Sequence, residues 1–349
     1  MQTREFPSRS RGRRPAVATR YWTERAGWVR CQVMGAPAEL WTRARTDTEA
    51  PLEATTRAED SGMLKKAKNR ATAILSGSAA LYREMAFSAL RLVRNGIVVS
   101  LAHAEPTVAA ADVAAAGLFR RSTNNITDGG TTDTYQVSYH GQTVAHIDTW
   151  CHFFENGQMY NGVPVKDNIT FEKGCIKGSI MNWKGGITTR AVLYDIAALR
   201  GVEYADPTQP VTRAELEAWE RRSGVRIGPG DIPLLYVGRW KRRDALGPWA
   251  GQVAGYYPDT IPWMYERMPS FLGHDVNIDW NPRPGWEGMR NPIHVAALNW
   301  MGINILECLD LEELVATARR LNRYEFAITF APLPVEGGTG SPVNPLAIF

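Results

Sequence analysis

Cysteine is scarce in this sequence, and its residues show no short spacing. Cys31, Cys151, Cys175 and Cys308 lie far apart, so no Cys-x-x-Cys pair is present. Zinc ribbons need paired thiolates at short spacing, and disulfide-stapled domains need a denser set of cysteines. The sequence therefore predicts neither, and it favours a reducing compartment, which we expect to be the cytoplasm.

Long apolar runs are also missing. No stretch approaches the roughly 18 consecutive apolar residues of a transmembrane helix, and the N-terminus lacks the apolar core of a secretory signal. Apolar residues make up 44% of the chain and charged residues 22%, as in globular proteins. We therefore expect no membrane partner.

Residues 1–62 lack lysine but contain eleven arginines against eight acidic residues, which is +3 of the chain's net charge of +4. An Arg-rich, acid-poor start such as residues 4–20 is typical of transit peptides and of nucleic-acid-binding arms. Aromatic residues do not alternate with regularly spaced basic ones, which disfavours nucleic acid as a partner. We expect a disordered extension over 1–62, or a start codon placed too early, and one α/β domain over 63–349.

The rest of the chain predicts a mixture of helices and strands. Helical patterns over residues 63–95 lead into a strand at 97–101. Within residues 107–133, an Ala-rich stretch is followed by turn-forming residues that predict a loop over 123–131. Thr212 and Glu215, three residues apart, predict a capping box at the start of a helix.

Three of the six histidines lie within residues 139–152, with a carboxylate between two of them. In a strand, residues of one parity share a face, so Val144, His146 and Asp148 point to the same side. An imidazole and a carboxylate about 7 Å apart along a strand suit a hydrated divalent ion of the zinc or manganese type. A plain polar pair at a sheet edge also fits, and the residues alone leave both interpretations open.

This stretch resembles the signature of the cyclase family of metal-dependent hydrolases, to which bacterial kynurenine formamidases and isatin hydrolases belong. The family signature is His-x-Gly-Thr-His-x-Asp-x-Pro-x-His. Placed on residues 142–152, it matches His146, Asp148 and His152. Gln142 stands at the first His, and the Gly, Thr and Pro positions also differ.

Five further segments resemble the family in the same order along the chain. The segments are 90–101, 186–193, 229–231, 291–307, and 331–334 with 337–345. The resemblance as a whole covers the chain from about residue 86 to the C-terminus. Because the order is kept, the resemblance is more specific than any one segment. It implies a swivelling β/β/α domain of the α/β class, with a mixed sheet and flanking helices, that assembles as a homodimer or homotetramer.

The resemblance also implies a site. His146 and Asp148 are then ligands of a divalent metal, Mn²⁺ or Zn²⁺, and His152 is the uncoordinated catalytic base. The further candidate ligands are Gln142, His140, His294 and Glu307. Either the Gln142 amide oxygen or the His140 imidazole, which has the same strand parity, supplies the first ligand.

The implied activity is hydrolysis of an amide, cyclic amide or lactone bond in a small molecule, as in arylformamidases. Because the signature is incomplete, a degenerate family member that binds a small molecule or serves a structural role without turnover is the alternative. Phe153, Phe154, Met159 and Tyr160 fit either a pocket for an aromatic substrate or plain core. The pair His274–Asp275 either orients a ligand or faces a loop.

Overall fold

The structure is a computed structural model that describes residues 79–113, 118–280 and 291–349. The predicted extension over residues 1–62 and the first part of the helical region at 63–95 lie outside the described residues. In the described ranges, no helix combines the length and the apolar composition that a membrane span requires.

A nine-stranded mixed sheet forms the centre of the domain, and two small two-stranded sheets accompany it. The strands, in chain order, are β1 (Val98–Ser100), β2 (Arg120–Thr127), β3 (Gly130–Gln136), β4 (His146–Asp148), β5 (Ile169–Thr170), β6 (Gly174–Cys175), β7 (Ile187–Asp195), β8 (Ile232–Tyr236), β9 (Phe271–His274), β10 (Asn304–Glu307), β11 (Glu325–Phe330), β12 (Gly340–Pro342) and β13 (Leu346–Ile348).

The large sheet has the order β1-β13-β11-β7-β8-β9-β10-β4-β12. Strands β7 to β10 are parallel neighbours, and the outer strands pair antiparallel. All five residues of β8 are buried, as expected for a parallel strand covered on both faces. The carboxyl ends of β8, β9 and β10 therefore meet at one edge of the sheet, next to β4.

Helices flank the sheet. In chain order they are α1 (Ala79–Leu90), α2 (Val165–Asn168), α3 (Ile196–Arg200), α4 (Arg213–Ser223), α5 (Arg239–Leu246), α6 (Ile261–Arg267), α7 (Pro292–His294), which continues as the π-helix Val295–Met301, and α8 (Glu312–Leu321). Short 3₁₀ turns cover Tyr160–Gly162, Ile180–Trp183 and Pro258–Thr260. The predicted capping box is confirmed, because the Thr212 hydroxyl accepts the Glu215 backbone N–H and the Glu215 carboxylate accepts that of Thr212.

The main apolar core lies between the sheet and the helices that cover it. It includes Ile147 of β4, Leu193 of β7, Leu234 of β8 and Phe326 of β11, all fully buried. Helix α8 contributes a face containing the buried residue Leu314. The predicted α/β class, a mixed sheet with flanking helices, is thus confirmed.

The predicted loop over residues 123–131 is wrong except at its turn, because β2 and β3 form a hairpin joined by Asp128 and Gly129. All side chains of both strands are exposed, so the apolar alternation that indicates a half-buried strand is missing. The Asp-Gly pair was the available signal, since it favours the two-residue turns of hairpins.

The sequence predicted no disulfide framework, and the described residues contain one isolated bond, between Cys151 and Cys175. Their Cα atoms lie 6.4 Å apart, within the range that a disulfide spans. The chain returns from Cys151 to Cys175 through β5 and β6, and Met159 packs with the two cysteines in a small cluster apart from the main core. With this pair bonded, the cysteine pattern no longer favours a reducing compartment.

Candidate metal centre

Strands β4 and β10 are antiparallel neighbours that place three polar side chains together. Glu307 pairs with His146, and Ile305 pairs with Asp148. The His146 Nδ1–H donates to the Val144 carbonyl at 2.7 Å, so the Nε2 lone pair is free. That Nε2 lies 3.6 Å from Asp148 Oδ1 and 3.8 Å from Glu307 Oε2. All three side chains are almost completely buried.

His294 joins this group from the start of helix α7. Its Nε2 lies 3.3 Å from Glu307 Oε1 and 3.5 Å from Asp148 Oδ2. On the other side of the ring, Nδ1 lies 2.6 Å from Asp279 Oδ2. The π-helix after His294 ends at Gly302, whose φ of 68° is left-handed, a conformation that glycine adopts readily at a helix end.

His140 and His152 approach Asp148 from the solvent side. His140 Nδ1 lies 2.9 Å from Asp148 Oδ1, and His152 Nε2 lies 3.8 Å from Oδ2. The two imidazole rings stack in parallel with centroids 4.0 Å apart. We call His140, His146, Asp148, His152, His294 and Glu307 the cluster. The side chains of His140 and His152 are 29% and 22% exposed, so a substrate can reach these two members.

The cluster includes His140 and leaves out Gln142. The chain bends over residues 140–144 instead of forming a strand, so the parity rule does not apply before β4. Gln142 is half-buried, and among the described residues no hydrogen bond joins its amide to the cluster. Thr339 Oγ1 lies 3.3 Å from His140 Nε2, and a Cβ at Gly340 would lie 3.0 Å from the same ring, so the neighbouring strand β12 holds the imidazole closely.

The cluster has the properties of a cation site. Within the described part of the chain, no donor meets either oxygen of the buried Asp148 carboxylate at a favourable hydrogen-bond angle, although His140 Nδ1 lies only 2.9 Å from Oδ1. A buried carboxylate without such a donor is costly unless a cation compensates it. Ligand atoms on a tetrahedral ion lie about 3.4 Å apart, and the nitrogen-to-oxygen distances that join His146 and His294 to Asp148 and Glu307 are 3.3–3.8 Å.

For the ionisable side chains of the cluster, burial and the charges of neighbouring side chains shift the pKa in opposite directions. Burial opposes ionisation of Asp148, but His152 and His146 lower its pKa well below the usual range. Burial raises the pKa of Glu307, although His294 opposes this. Burial acts to lower the pKa of His294, but Glu307 and Asp148 raise it above the ordinary value. Burial lowers the pKa of His152 to about 3, against the charge of Asp148.

The other candidates from the sequence lie elsewhere, with one exception. His274 is buried, with Nδ1 on Asp275 and Nε2 3.2 Å from the Ala254 carbonyl, which belongs to the irregular segment 252–255, so the histidine faces a loop as predicted and does not contact the cluster. The exception is Phe153, whose ring centroid lies 4.5 Å from His294 and 4.9 Å from His152. Phe154 is exposed, Met159 lies in the small core of the disulfide, and Tyr160 packs on Trp150.

Asp279 was missed by sequence reasoning although it contacts His294 directly. Its own neighbours carry no recognisable motif, and its role depends on a chain approach that only the fold shows.

Comparison with known proteins identifies the family. The Cyclase family model matches residues 36–280, which is most of the chain. The chain belongs to the cyclase family. The resemblance noted in the sequence is thereby confirmed.

Similar solved structures support the fold of this cyclase-family chain. A crystal structure described as a novel cyclase is 26% identical with a TM-score of 0.67, over 76% of this chain and 91% of that one. Isatin hydrolase A from Labrenzia aggregata, bound to benzyl benzoate, is 22% identical with a TM-score of 0.53, over 77% and 98% of the two chains. Isatin hydrolase A from Ralstonia solanacearum is 22% identical with a TM-score of 0.51, over 85% and 99%. No curated protein sequence matches the chain.

Proposed function

We propose that this protein is a metal-dependent hydrolase that cleaves an amide, cyclic amide or lactone bond in a small molecule. The observation that carries the proposal is the buried Asp148 carboxylate, whose oxygens lie 2.9–3.8 Å from nitrogen atoms of four imidazoles. The isatin hydrolases among the similar structures point in the same direction.

Four buried side chains would hold the metal: His146, Asp148, His294 and Glu307. Their nitrogen and oxygen donors suit Zn²⁺ or Mn²⁺ and need no thiolate. In addition to these four, the more exposed His140 would supply a ligand in place of the missing signature histidine, because it reaches Asp148 and Gln142 does not. When bound, the ion supplies Lewis-acid chemistry that acidifies water and stabilises negative charge on a carbonyl oxygen.

His152 is the general base of the proposed reaction. Its Nε2 faces the Asp148 carboxylate, while the side chain remains partly exposed on the substrate side. Stacking on His140 fixes the plane of its ring. From this position it takes a proton from the water that attacks the carbonyl carbon, and it delivers the proton to the departing amine or alkoxide.

An aromatic substrate, as in arylformamidases, is supported by Phe153. Its half-buried ring lies against both His152 and His294, so it forms an apolar wall beside the proposed base. Such a wall favours the flat apolar part of an aryl amide or a fused cyclic amide and excludes water from the reacting bond. We further propose a homodimer or homotetramer, which light scattering coupled to gel filtration tests.

The test begins with metal analysis of the purified full chain. The protein is stripped with a chelator, reloaded with Zn²⁺ or Mn²⁺, and assayed against formanilides, cyclic amides, lactones and simple esters. We expect turnover of at least one class that disappears on stripping and returns on reloading. Activity that is indifferent to the chelator contradicts the proposal, and stoichiometric metal without turnover supports the degenerate binding protein instead.

A further inference from the structure

A three-residue segment contacts His294 and Glu307, the two members of the cluster that come from the C-terminal part of the chain. The Ile278 backbone N–H donates to Glu307 Oε1 at 2.6 Å, and the Asn277 side-chain amide donates to Glu307 Oε2 at 3.1 Å. The next residue, Asp279, lies against His294 Nδ1. We call residues 277–279 the strap, because they hold two side chains that come from different elements, a helix start and the end of β10.

Asp279 contacts His294 through both the ring and the backbone. Its Oδ2 lies 2.6 Å from Nδ1 and accepts the His294 backbone N–H at 3.2 Å, while Oδ1 accepts the Ile293 N–H at 2.8 Å. A carboxylate beside Nδ1 keeps the proton on that nitrogen, which leaves the Nε2 lone pair for a metal. The same carboxylate therefore fixes the position of the helix start and the tautomer of its histidine.

The strap itself is fixed by a close backbone approach. The Tyr256 N–H donates to the Ile278 carbonyl at 2.8 Å. A Cβ on Gly255 would lie 2.6 Å from that carbonyl oxygen and 2.6 Å from the Asp279 carbonyl carbon, so only glycine allows the contact. The Asn277 side chain also accepts the Asp279 backbone N–H at 3.2 Å, which closes the turn of the strap on itself.

We propose that the strap is the positioning element of the metal centre: Asp279 aims His294 Nε2, and Asn277 with the Ile278 N–H aims the Glu307 carboxylate. This inference rests on the metal site proposed above and adds residues that act through its ligands. Groups that hydrogen-bond to metal ligands affect metal affinity about 10- to 100-fold. We assign an effect of that size to Asp279.

The test is Asp279→Asn in the full chain, with Zn²⁺ alone as the probe. Asparagine has the same shape and can still accept a backbone N–H, but it carries no charge to hold the proton on Nδ1. We expect Zn²⁺ affinity, measured by competition with a chromophoric chelator, to fall about 10- to 100-fold. We also expect the visible absorption of the Co²⁺-substituted protein to change. Asn277→Ala is the second variant, and because Asn277 is half-buried it tests the strap even if the first variant folds poorly.

Asp275→Asn is the matched control. Asp275 is as buried as Asp279, lies 2.9 Å from the Nδ1 of His274, and accepts the backbone N–H groups of Val237, Gly238 and Arg239 where α5 begins. Its histidine lies outside the cluster. We expect this control to lower the Tm and to leave both the Zn²⁺ affinity and the Co²⁺ spectrum unchanged.

The outcomes separate this inference from the function it rests on. Wild-type protein that binds Zn²⁺, together with an Asp279→Asn variant of equal affinity, overturns the strap alone. Equal weakening in the Asp275→Asn control also overturns it, because the effect is then general destabilisation. Wild-type protein that binds neither Zn²⁺ nor Mn²⁺ overturns the metal centre and the strap together.

Discussion

Replacing Asp148 with asparagine tests the metal centre most directly. The carboxylate is 1% exposed and lies within 4 Å of four imidazole rings, at distances of 2.9–3.8 Å. Without a metal, only these imidazoles compensate the desolvation of the buried charge. Burial opposes ionisation, but the imidazoles lower the pKa of Asp148 well below its usual range, so the charged form stabilises the metal-free fold. Asparagine removes that charge, so we expect metal-free Asp148→Asn to be less stable than metal-free wild type.

The stabilisation that a bound metal adds is the second quantity to compare between the two proteins. At an ion concentration 100 times the dissociation constant, binding stabilises the native state by about 2.7 kcal/mol. For a domain of this size each kcal/mol raises the Tm by about 2–4 °C, so the wild type should gain about 5–10 °C. If the substitution weakens binding at least about 100-fold, the gain at the same concentration falls to about 0.4 kcal/mol, or roughly 1 °C.

The assay is thermal unfolding with and without Zn²⁺ or Mn²⁺ after chelator treatment. Asp195→Asn is the control, because Asp195 is also fully buried but caps α3 and pairs with Arg319 away from the cluster. The control should unfold earlier than wild type and keep the full metal-induced gain. An Asp148→Asn variant that still gains 5 °C or more would refute the assignment of Asp148 as the shared ligand.

Three further expectations concern catalysis and stability. His152→Ala should lower kcat about 100- to 10,000-fold and leave metal affinity intact. The control is His103→Ala, which should change neither quantity because the His103 ring stacks on Trp240 outside the cluster. A His152→Ala variant with wild-type activity would contradict the assignment of His152 as the base. Burial raises the pKa of Asp259 to about 6, so the stability that its protonated form contributes is complete at low pH and is lost as the pH rises through that value. In urea unfolding, the free energy of unfolding of Asp259→Asn should exceed that of wild type by about 1 kcal/mol at pH 8 and should equal it at pH 4. Reduction of the disulfide that Cys175 forms should cost about 3 kcal/mol of unfolding free energy, and a Cys175→Ser variant that remains sensitive to reductant would contradict this.

Local signals predicted much of the fold. The Thr212–Glu215 capping box is observed because both of its hydrogen bonds form within one helical turn. The strand His146–Asp148 also depends on nearby residues. The hairpin β2–β3 was missed for the opposite reason, since its exposed strands lack the apolar alternation through which burial marks a strand.

The parts of the site that were not predictable depend on contacts between distant segments. His140 reaches Asp148 because the chain bends after it, which no periodicity indicates. Asp279 reaches His294 because Gly255 admits a neighbouring backbone. The pairing of Cys151 with Cys175 follows from the return of the chain through β5 and β6. Each of these three contacts forms only in the folded chain, so no local sequence pattern indicates it.

The position of β4 in the sheet has a consequence for biosynthesis. Its neighbours on both sides, β10 and β12, are encoded between residues 304 and 342, far downstream of residues 146–148. During translation, this strand therefore has neither sheet partner until residues 304–342 have been synthesised. A metal site built on His146 and Asp148 would then be completed only after the chain has passed those residues.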